Sequence, residues 1–378
     1  MTAALIFAGL ALLSTGLVIW QFVVAMRFPL HQRVASLTFA PGISILKPLK
    51  GADSETRACL ETWLTQRYVG RIQVLFGVHS ADDPVCAIVR DLISAHSKVD
   101  AELVICGDNL GPNAKVSTLI QLQQRAKHDV IAVSDADVFA PNDLLEQTVA
   151  PLSRSGVGLV NCFYRLPARG DIEMRCEAFI VNCDFWSQVL QARSIKPIGF
   201  ALGAVMITSR ARLKKIGGFE SLVDYLADDY QLGHRIAKTG AEIVISPVVV
   251  ECRSAPMTAR EVWQHQLRWA RTIRVCQPGP YFFSILNDST LWALLLAAAF
   301  PFPRFQVIAA ICLAVRWFTA LMIDRKMTGR LDFLTMVALL NADLFRPVIW
   351  ALSFLGNTVL WRGTKYHLLP GGKLVICQ

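Results

Sequence analysis

The sequence predicts an α/β protein: a mostly parallel sheet covered by helices, carried between membrane-spanning helices at its two ends. Three observations predict it. Long apolar runs sit at both ends of the chain, short β-branched runs recur between residues 41 and 256, and helical stretches separate the early ones. Hydrophobic residues make up 53% of the 378 and charged residues 18%, against about 45–50% and about 25% in an ordinary soluble domain. The excess lies in the ends, and the middle reads as a soluble domain.

At the N-terminus, Ala3 to Met26 is almost unbroken apolar, interrupted by Ser14, Thr15 and Gln21. A span needs roughly 20 such residues. A cleaved signal would carry a basic start and a shorter apolar core; here the basic residues, Arg27 and Arg33, follow the run. The positive-inside rule then puts the chain in the cytoplasm after this first helix, residues 1–27.

Strands are expected at Ile43–Leu46, Ile72–Val78, Glu102–Cys106, Val130–Ser134, Gly158–Cys162, Ala204–Thr208 and Glu242–Ile245, with helices at Thr56–Gln66, Asp83–Ala95, Val116–Lys127 and Asn142–Leu152. Alternation of this kind gives a parallel sheet with helices on both faces. Ligands of such sheets bind beyond the carboxyl ends of the strands, so chemistry is sought in the loops that follow them.

Asp135-Ala-Asp137 directly follows Val-Ile-Ala-Val-Ser. Two carboxylates so spaced at a strand end can both reach a hard cation, Mg²⁺ or Mn²⁺, which typically takes one or two carboxylates plus phosphate oxygens. Asp82 and Asp83 follow the second strand and could receive a nucleoside, although an Asp before Pro84 is also a helix cap. Asn113 and Lys115, in Gly111-Pro-Asn-Ala-Lys115, and Lys47 and Lys50 after the first strand are candidates for phosphate contacts, or are solvated surface groups. Asp228 and Asp229 open a helical stretch; such a carboxylate caps a helix or takes the proton from an attacking hydroxyl.

Residues 257–284 read as an interfacial amphipathic segment. Within it His265, Arg268 and Trp269 stand at i, i+3 and i+4 on one face; an Arg can hold a diphosphate through paired hydrogen bonds, and a Trp can stack on a sugar. From 285 to 361 the chain is apolar again. The runs 286–302 and 305–323 suggest a hairpin ending at a basic loop, 324–330, and a third run from 333 to 360 dips in and returns to a cytoplasmic tail, 362–378; the alternative is that these broken runs are interfacial or re-entrant. Arg316, Asp343 and Arg346 lie at membrane depth, which calls for helix packing or a polar cavity. Trp361-Arg-Gly-Thr-Lys-Tyr366 looks like an interfacial anchor.

The net charge of +9 comes from basic residues flanking the apolar runs. That placement suits anionic head groups and not a nucleic-acid stripe. The ten cysteines form no CxxC pair and no metal-ligand rhythm, which fits free thiols in a reducing compartment.

Taken in order, several segments resemble the ceramide glucosyltransferase family and its relative, the bacterial hopanoid-biosynthesis glycosyltransferase. They are Ile-Leu-Lys-Pro-Leu-Lys-Gly-Ala-Asp (45–53), Asp82-Asp83-Pro84, Gly111–Lys115, Asp135-Ala-Asp137, Tyr225-Leu-Ala-Asp-Asp-Tyr230, His265-Gln-Leu-Arg-Trp269 and Trp361–Tyr366. The resemblance implies a GT-A (Rossmann-like) fold over 41–256 and inverting transfer from a UDP-sugar to a hydroxyl of a membrane lipid, hopanoid or ceramide, with a divalent cation. By position, Asp83 matches the nucleotide-binding aspartate, Asp135 and Asp137 the metal motif, and Asp229 the catalytic base. Arg268 and Trp269 match the end of a (Q/R)xxRW motif. His265 departs from it, standing where the family carries Gln or Arg, and Gln264 and Gln266 flank it out of register. The resemblance also implies a bacterial inner-membrane protein with a cytoplasmic catalytic domain, the acceptor lipid approaching near residues 258–283. The rival readings are a processive polysaccharide synthase, which needs more spans, and a non-catalytic nucleotide-sugar or lipid-binding protein, which needs no base at Asp229.

Overall fold

The computed structural model describes residues 2–33, 39–331 and 333–377. They form two compact units. One comprises Leu30–Arg165 and Pro197–Ala255; the other comprises Met1–Pro29, Leu166–Lys196 and Pro256–Gln378.

The first unit is built on an eight-stranded sheet: β1 (Ile43–Pro48), β2 (Ile72–Val78), β3 (Asp100–Ile105), β4 (Val130–Ser134), β5 (Val138–Phe139), β6 (Val157–Arg165), β7 (Val205–Ser209) and β8 (Glu242–Cys252), in the order β3-β2-β1-β4-β7-β6-β8-β5. The four strands from β3 to β4 run parallel, in register Val78 to Ile105, Pro48 to Gly77 and Leu46 to Val133. Their carboxyl ends therefore share one edge of the sheet. β7 is antiparallel to both β4 and β6, and β6 runs parallel to β8. Strands β1 and β4 are buried throughout, as expected of strands covered on both faces. Ile45, Phe76, Ala132 and Ile207 pack with Leu60, Trp63 and Val89 from the covering helices in one apolar core.

All seven expected strands are present. Two differences have clear causes. β5 spans two residues, too short to show a period. β8 runs on to Cys252 through Pro247, a residue that reads as the end of a strand; a register shift between Cys162 and Phe163 of β6, which pair with Ser246 and Val249, lets pairing resume beyond the proline.

In the second unit, helices Thr2–Arg27, Pro303–Thr328 and Phe333–Ser353 are long and apolar enough to cross a membrane, and the bent pair Pro278–Asn287 and Ser289–Ala299 would make a fourth span if counted as one. Helices Thr2–Arg27, Ser289–Ala299 and Pro303–Thr328 bury small residues against one another, among them Ala4, Ala8, Ala11, Ala293 and Ala309. This allows the close backbone approach that membrane helices use. Within the run expected over 286–302 the helix is Ser289–Ala299, which meets Pro278–Asn287 at a 55° bend, a broken span or a re-entrant loop. Most of the basic loop expected at 324–330 is helix, since nothing breaks it before Gly329, whose φ of 75° closes the helix in the left-handed region. Lys326 donates to the carbonyls of Met26 and Phe28, both at 2.7 Å. The C-terminal ends of the first helix and of Pro303–Thr328 therefore lie side by side.

The charges at membrane depth pair with one another. The Arg316 guanidinium, 2% exposed, forks onto Asp184 (2.8 and 3.1 Å) and Asp343 (2.6 and 3.0 Å). Arg346 joins Asp184 and reaches Asp288 at 3.3 Å. Arginine meets these carboxylates two atoms at a time, the geometry that best offsets desolvation. The network ties Ile172–Ile195, a helix with a π turn at Ile180–Phe185, to the apolar helices.

Helix Ala259–Cys276 starts with a capping box. Thr258 Oγ1 accepts from the Glu261 N–H and the Glu261 carboxylate accepts from the Thr258 N–H. Beyond the last long helix, Trp361–Tyr366 lies in a β-hairpin: strands Thr358–Trp361 and Thr364–Leu368 pair antiparallel. Their two-residue turn has positive φ at both Arg362 (49°) and Gly363 (86°), the geometry that matches strand twist.

Candidate active site

The end of β1 and the loops after β2 and β4 bring Lys47, Asp83, Asp135 and Asp137 to the shared edge, and helix Asp228–Lys238 supplies Asp228 and Asp229. Lys115 is the hub. It lies in the first turn of helix Ala114–Arg125, and its ammonium is 2.7 Å from Asp135 and 3.0 Å from Asp228. Burial opposes its charge, but the two carboxylates outweigh burial and hold the ammonium well above the usual lysine range.

Lys115 is aimed by its neighbour. Asn113 caps the helix, its Oδ1 accepting from the Val116 N–H at 3.1 Å, while its Nδ2 donates to the Tyr225 carbonyl at 2.7 Å. One fully buried amide thus fixes both the helix that carries Lys115 and the segment leading to Asp228.

Asp229 follows on the same first turn. Its Oδ1 accepts from the Tyr230 N–H at 2.7 Å. Its carboxyl is pushed up to about 7 by burial and by the charge of Asp228, with Lys115 pulling the other way. Room for it comes from Gly203, where a Cβ would fall 2.8 Å from Asp229 Oδ2. The helix itself is seated by Gly233, where a Cβ would fall 2.1 Å from the Ala201 nitrogen. Its two acids at the start, with Arg235 and Lys238 in the last turn, also suit the helix dipole.

The Asp135–Asp137 turn is held through its backbone. The Asp135 N–H reaches the Ala204 carbonyl at 3.3 Å, and the Arg253 N–H donates to the Asp137 carbonyl at 2.8 Å. Lys47 supports it from beneath: fully buried, 4.7 Å over the Trp63 ring, it donates to Ser134 Oγ at 3.2 Å and to the Asp135 carbonyl. Burial outweighs the attraction of Asp137 and Asp135 and lowers this ammonium to about 8. The Asp137 carboxyl is pushed up to about 6, first by the protein packed around it and then by Asp135, although the residue remains open to solvent.

Asp83 accepts from the Gly51 N–H through both oxygens (3.1 and 3.0 Å) and from the Val85 N–H at 3.0 Å. It therefore caps the following helix and ties the loop after β1 to the loop after β2. Lys50 and Asp82 are exposed.

His265, Arg268 and Trp269 belong to the other unit, on helix Ala259–Cys276. His265 Nδ1 lies 2.5 Å from the Glu177 carboxylate, which also accepts from Gln266 at 2.9 Å. The imidazole meets the Trp269 ring edge-on at 4.7 Å. Glu177 is 1% exposed, so this departure from the expected motif comes with a buried carboxyl partner. Sequence reasoning did not single out Glu177, because nothing near it marks it, nor Gly203, whose role is defined by a partner 26 positions away. It did not find Asp228 as the partner of Lys115 either, since that pair joins segments more than a hundred residues apart.

A sheet with its parallel half, its acidic edge and a chain carrying membrane-length helices define a membrane glycosyltransferase of the GT-A kind. The mannosyltransferase PcManGT from Pyrobaculum calidifontis, solved with GDP-Man and Mn²⁺, has a similar fold: the TM-score is 0.54, with 19% identity, over 92% of this chain and 96% of that one. The chain belongs to glycosyl transferase family 21, whose family model matches residues 5–374. Ceramide glucosyltransferase 3 of Caenorhabditis elegans is 24% identical over 357 residues, which is 92% of this chain and 77% of that protein. The ceramide glucosyltransferase of Candida albicans is 33% identical over 123 residues, 30% of this chain and 23% of its own length.

Proposed function

We propose that this glycosyltransferase transfers one sugar, with inversion, from UDP-glucose or UDP-N-acetylglucosamine to a hydroxyl of a membrane lipid, either a polyhydroxylated hopanoid such as bacteriohopanetetrol or a ceramide. The observation that carries the reading is the state of Asp229. A carboxyl whose proton leaves near pH 7 is matched to taking a proton from an alcohol at physiological pH. The names of the relatives support a lipid acceptor.

The residues take these parts. Asp229 accepts the proton of the attacking hydroxyl. Asp83 steadies the nucleoside end of the donor, and Lys115 holds Asp135 and Asp228 in place while offering its ammonium toward the phosphates. Lys47, beneath the turn, acts on the donor through the loop it supports. Asp135 and Asp137 fit a divalent cation. They are crowded carboxylates whose mutual repulsion a cation relieves, and among the described residues no third acidic, His or Cys side chain joins them, which leaves positions for phosphate oxygens and water. Mg²⁺ or Mn²⁺ there would neutralise the diphosphate leaving group. Arg268 and Trp269 serve the diphosphate and the acceptor by their place in the motif, with His265 in its first position. Arg27, Arg33 and the basic end of Pro303–Thr328 orient the sheet unit to the cytoplasm, at a bacterial inner membrane.

The test is incubation of the detergent-solubilised protein with Mg²⁺ or Mn²⁺, a panel of UDP-sugars, and ceramide or bacteriohopanetetrol, with UDP release and lipid mass as readouts. A lipid heavier by one sugar is expected. A folded protein that releases no UDP with any donor and acceptor refutes the proposal, and a ladder of many sugars refutes single transfer.

A further inference from the structure

Helix Ala259–Cys276 presents Gln264, Leu267, Arg268 and Arg271 at i, i+3, i+4 and i+7, along one face. The C-terminal hairpin closes over that face and leaves a cavity of about 230 Å³, whose other walls are Thr358, Val359, Leu360 and Lys365. Its composition is one-sided. Three cations line it, no acid does, and the remaining wall is mainly aliphatic. Two of those cations keep unspent donors. Among the described residues the Lys365 ammonium has no hydrogen-bond or ion-pair partner. Arg271 spends one nitrogen on the Thr358 carbonyl and leaves its shielded Nε without an acceptor.

The surroundings say what kind of anion this is. Ile273 on the helix, Phe282 and Phe283 just beyond it, and Leu360, Val375 and Ile376 on the hairpin and its neighbouring strand, are exposed apolar side chains in the unit that holds the membrane-length helices. Exposed apolar residues next to arginine and lysine characterise a surface seated at the lipid–water boundary. A bare phosphate would leave Leu267, Val359 and Leu360 unused, and a neutral lipid would leave the cations unused.

We propose that this cavity is a binding site for an anionic glycerophospholipid. The lipid phosphate sits between Lys365 and Arg271, within reach of the Arg268 edge, Gln264 donates to the glycerol or ester oxygens, and the start of an acyl chain lies on Leu267, Val359 and Leu360. The site gives a role to the Trp361–Tyr366 segment, which the transfer chemistry does not use. Because Arg268 forms part of its wall, a bound lipid also steadies the motif helix from the side opposite Ala270 and Gln266, which are buried.

The experiment is native mass spectrometry of the full-length protein in detergent, with phosphatidylglycerol or phosphatidylcholine of the same chains added at equal concentration. Binding is read without turnover, so the outcome is independent of the donor and acceptor proposed above. The wild type retains phosphatidylglycerol preferentially, and the Arg271→Gln, Lys365→Gln double variant loses about 25-fold of that preference, at roughly fivefold per basic residue near an anionic lipid. The charge-conserving pair Arg271→Lys, Lys365→Arg, which controls for folding, keeps most of it. Equal retention of the two lipids by the wild type overturns the proposal, as does an unchanged preference in the double variant. So does displacement of the lipid by inorganic pyrophosphate at equal concentration, which would make the cavity a phosphate site alone.

Discussion

Replacing Asp229 by Asn should move activity and stability in opposite directions. The Asn side chain keeps the shape and the acceptor oxygen for the Tyr230 N–H but cannot take a proton. A positioned base contributes typically about 10²–10⁴-fold, so turnover should fall by that factor while UDP-sugar binding stays within about threefold. The sign for stability comes from the raised carboxyl. Its proton leaves near 7 in the folded protein against 3.8 for the free side chain. The folded state therefore disfavours the charged form, and the penalty is absent below about 4, grows as the pH rises to 7 and is complete above 7. At about 1.36 kcal/mol per pH unit the ceiling is about 4 kcal/mol, and the sharing of charge among Asp228, Asp229 and Lys115 brings the expected gain to the order of 1–3 kcal/mol. Asp229→Asn should thus melt higher than the wild type at pH 8, with about half the gain at pH 5.5. Thermal unfolding followed by tryptophan fluorescence at the two pH values, beside UDP release at pH 8, makes the check. A variant that loses activity and stability together would mark Asp229 as a structural cap, and one that keeps its activity would remove it as the base.

Four further outcomes follow from the same geometry. Wild-type kcat/KM should fall tenfold per pH unit below about 7, as Asp229 takes its proton; a rate flat from pH 5.5 to 8 would contradict that assignment. Gly203→Ala places a Cβ 2.8 Å from Asp229 Oδ2, so kcat should drop by about 10²-fold with little change in melting, because the atom that yields is the tip of a side chain; unchanged kcat would show that the carboxylate is not held there. Lys115→Met strips both Asp135 and Asp228 of their partner, and calorimetry should find a loss of about 3 kcal/mol, the lower end for a broken buried pair since Asp135 is partly exposed, together with weaker UDP binding. Glu177→Gln should lower turnover where His265 is present and add little in a His265→Gln background, where the charge partner is already gone; equal losses in both backgrounds would make Glu177 a packing residue only.

What could be read from the chain was what depends on short stretches of it. Strands β1, β2 and β4 were legible because strands buried on both faces are short, mainly apolar runs; Asp135 and Asp137 stood out because they directly follow one, and Asp229 because paired acids open a helical stretch. Pairing was illegible, because a Coulombic partner leaves no local trace. Lys115 reads as one of 38 basic residues, and only the fold makes it the cation between Asp135 and Asp228. The same limit accounts for residues 166–196. Their pattern carries Glu177 and Asp184, which suggests a wet surface, yet Asp184 is neutralised by Arg316 and Arg346 from helices more than a hundred residues further on, and the segment groups with the apolar ends of the chain. Conversely, two of the acids near the strand edge are left strained by their surroundings, a strain that the proposed roles would relieve. Asp137 and Asp229 are pushed above the usual carboxylate range by the protein packed around them and by adjacent acids, a cost that, on the proposed reading, binding a cation or accepting a proton relieves.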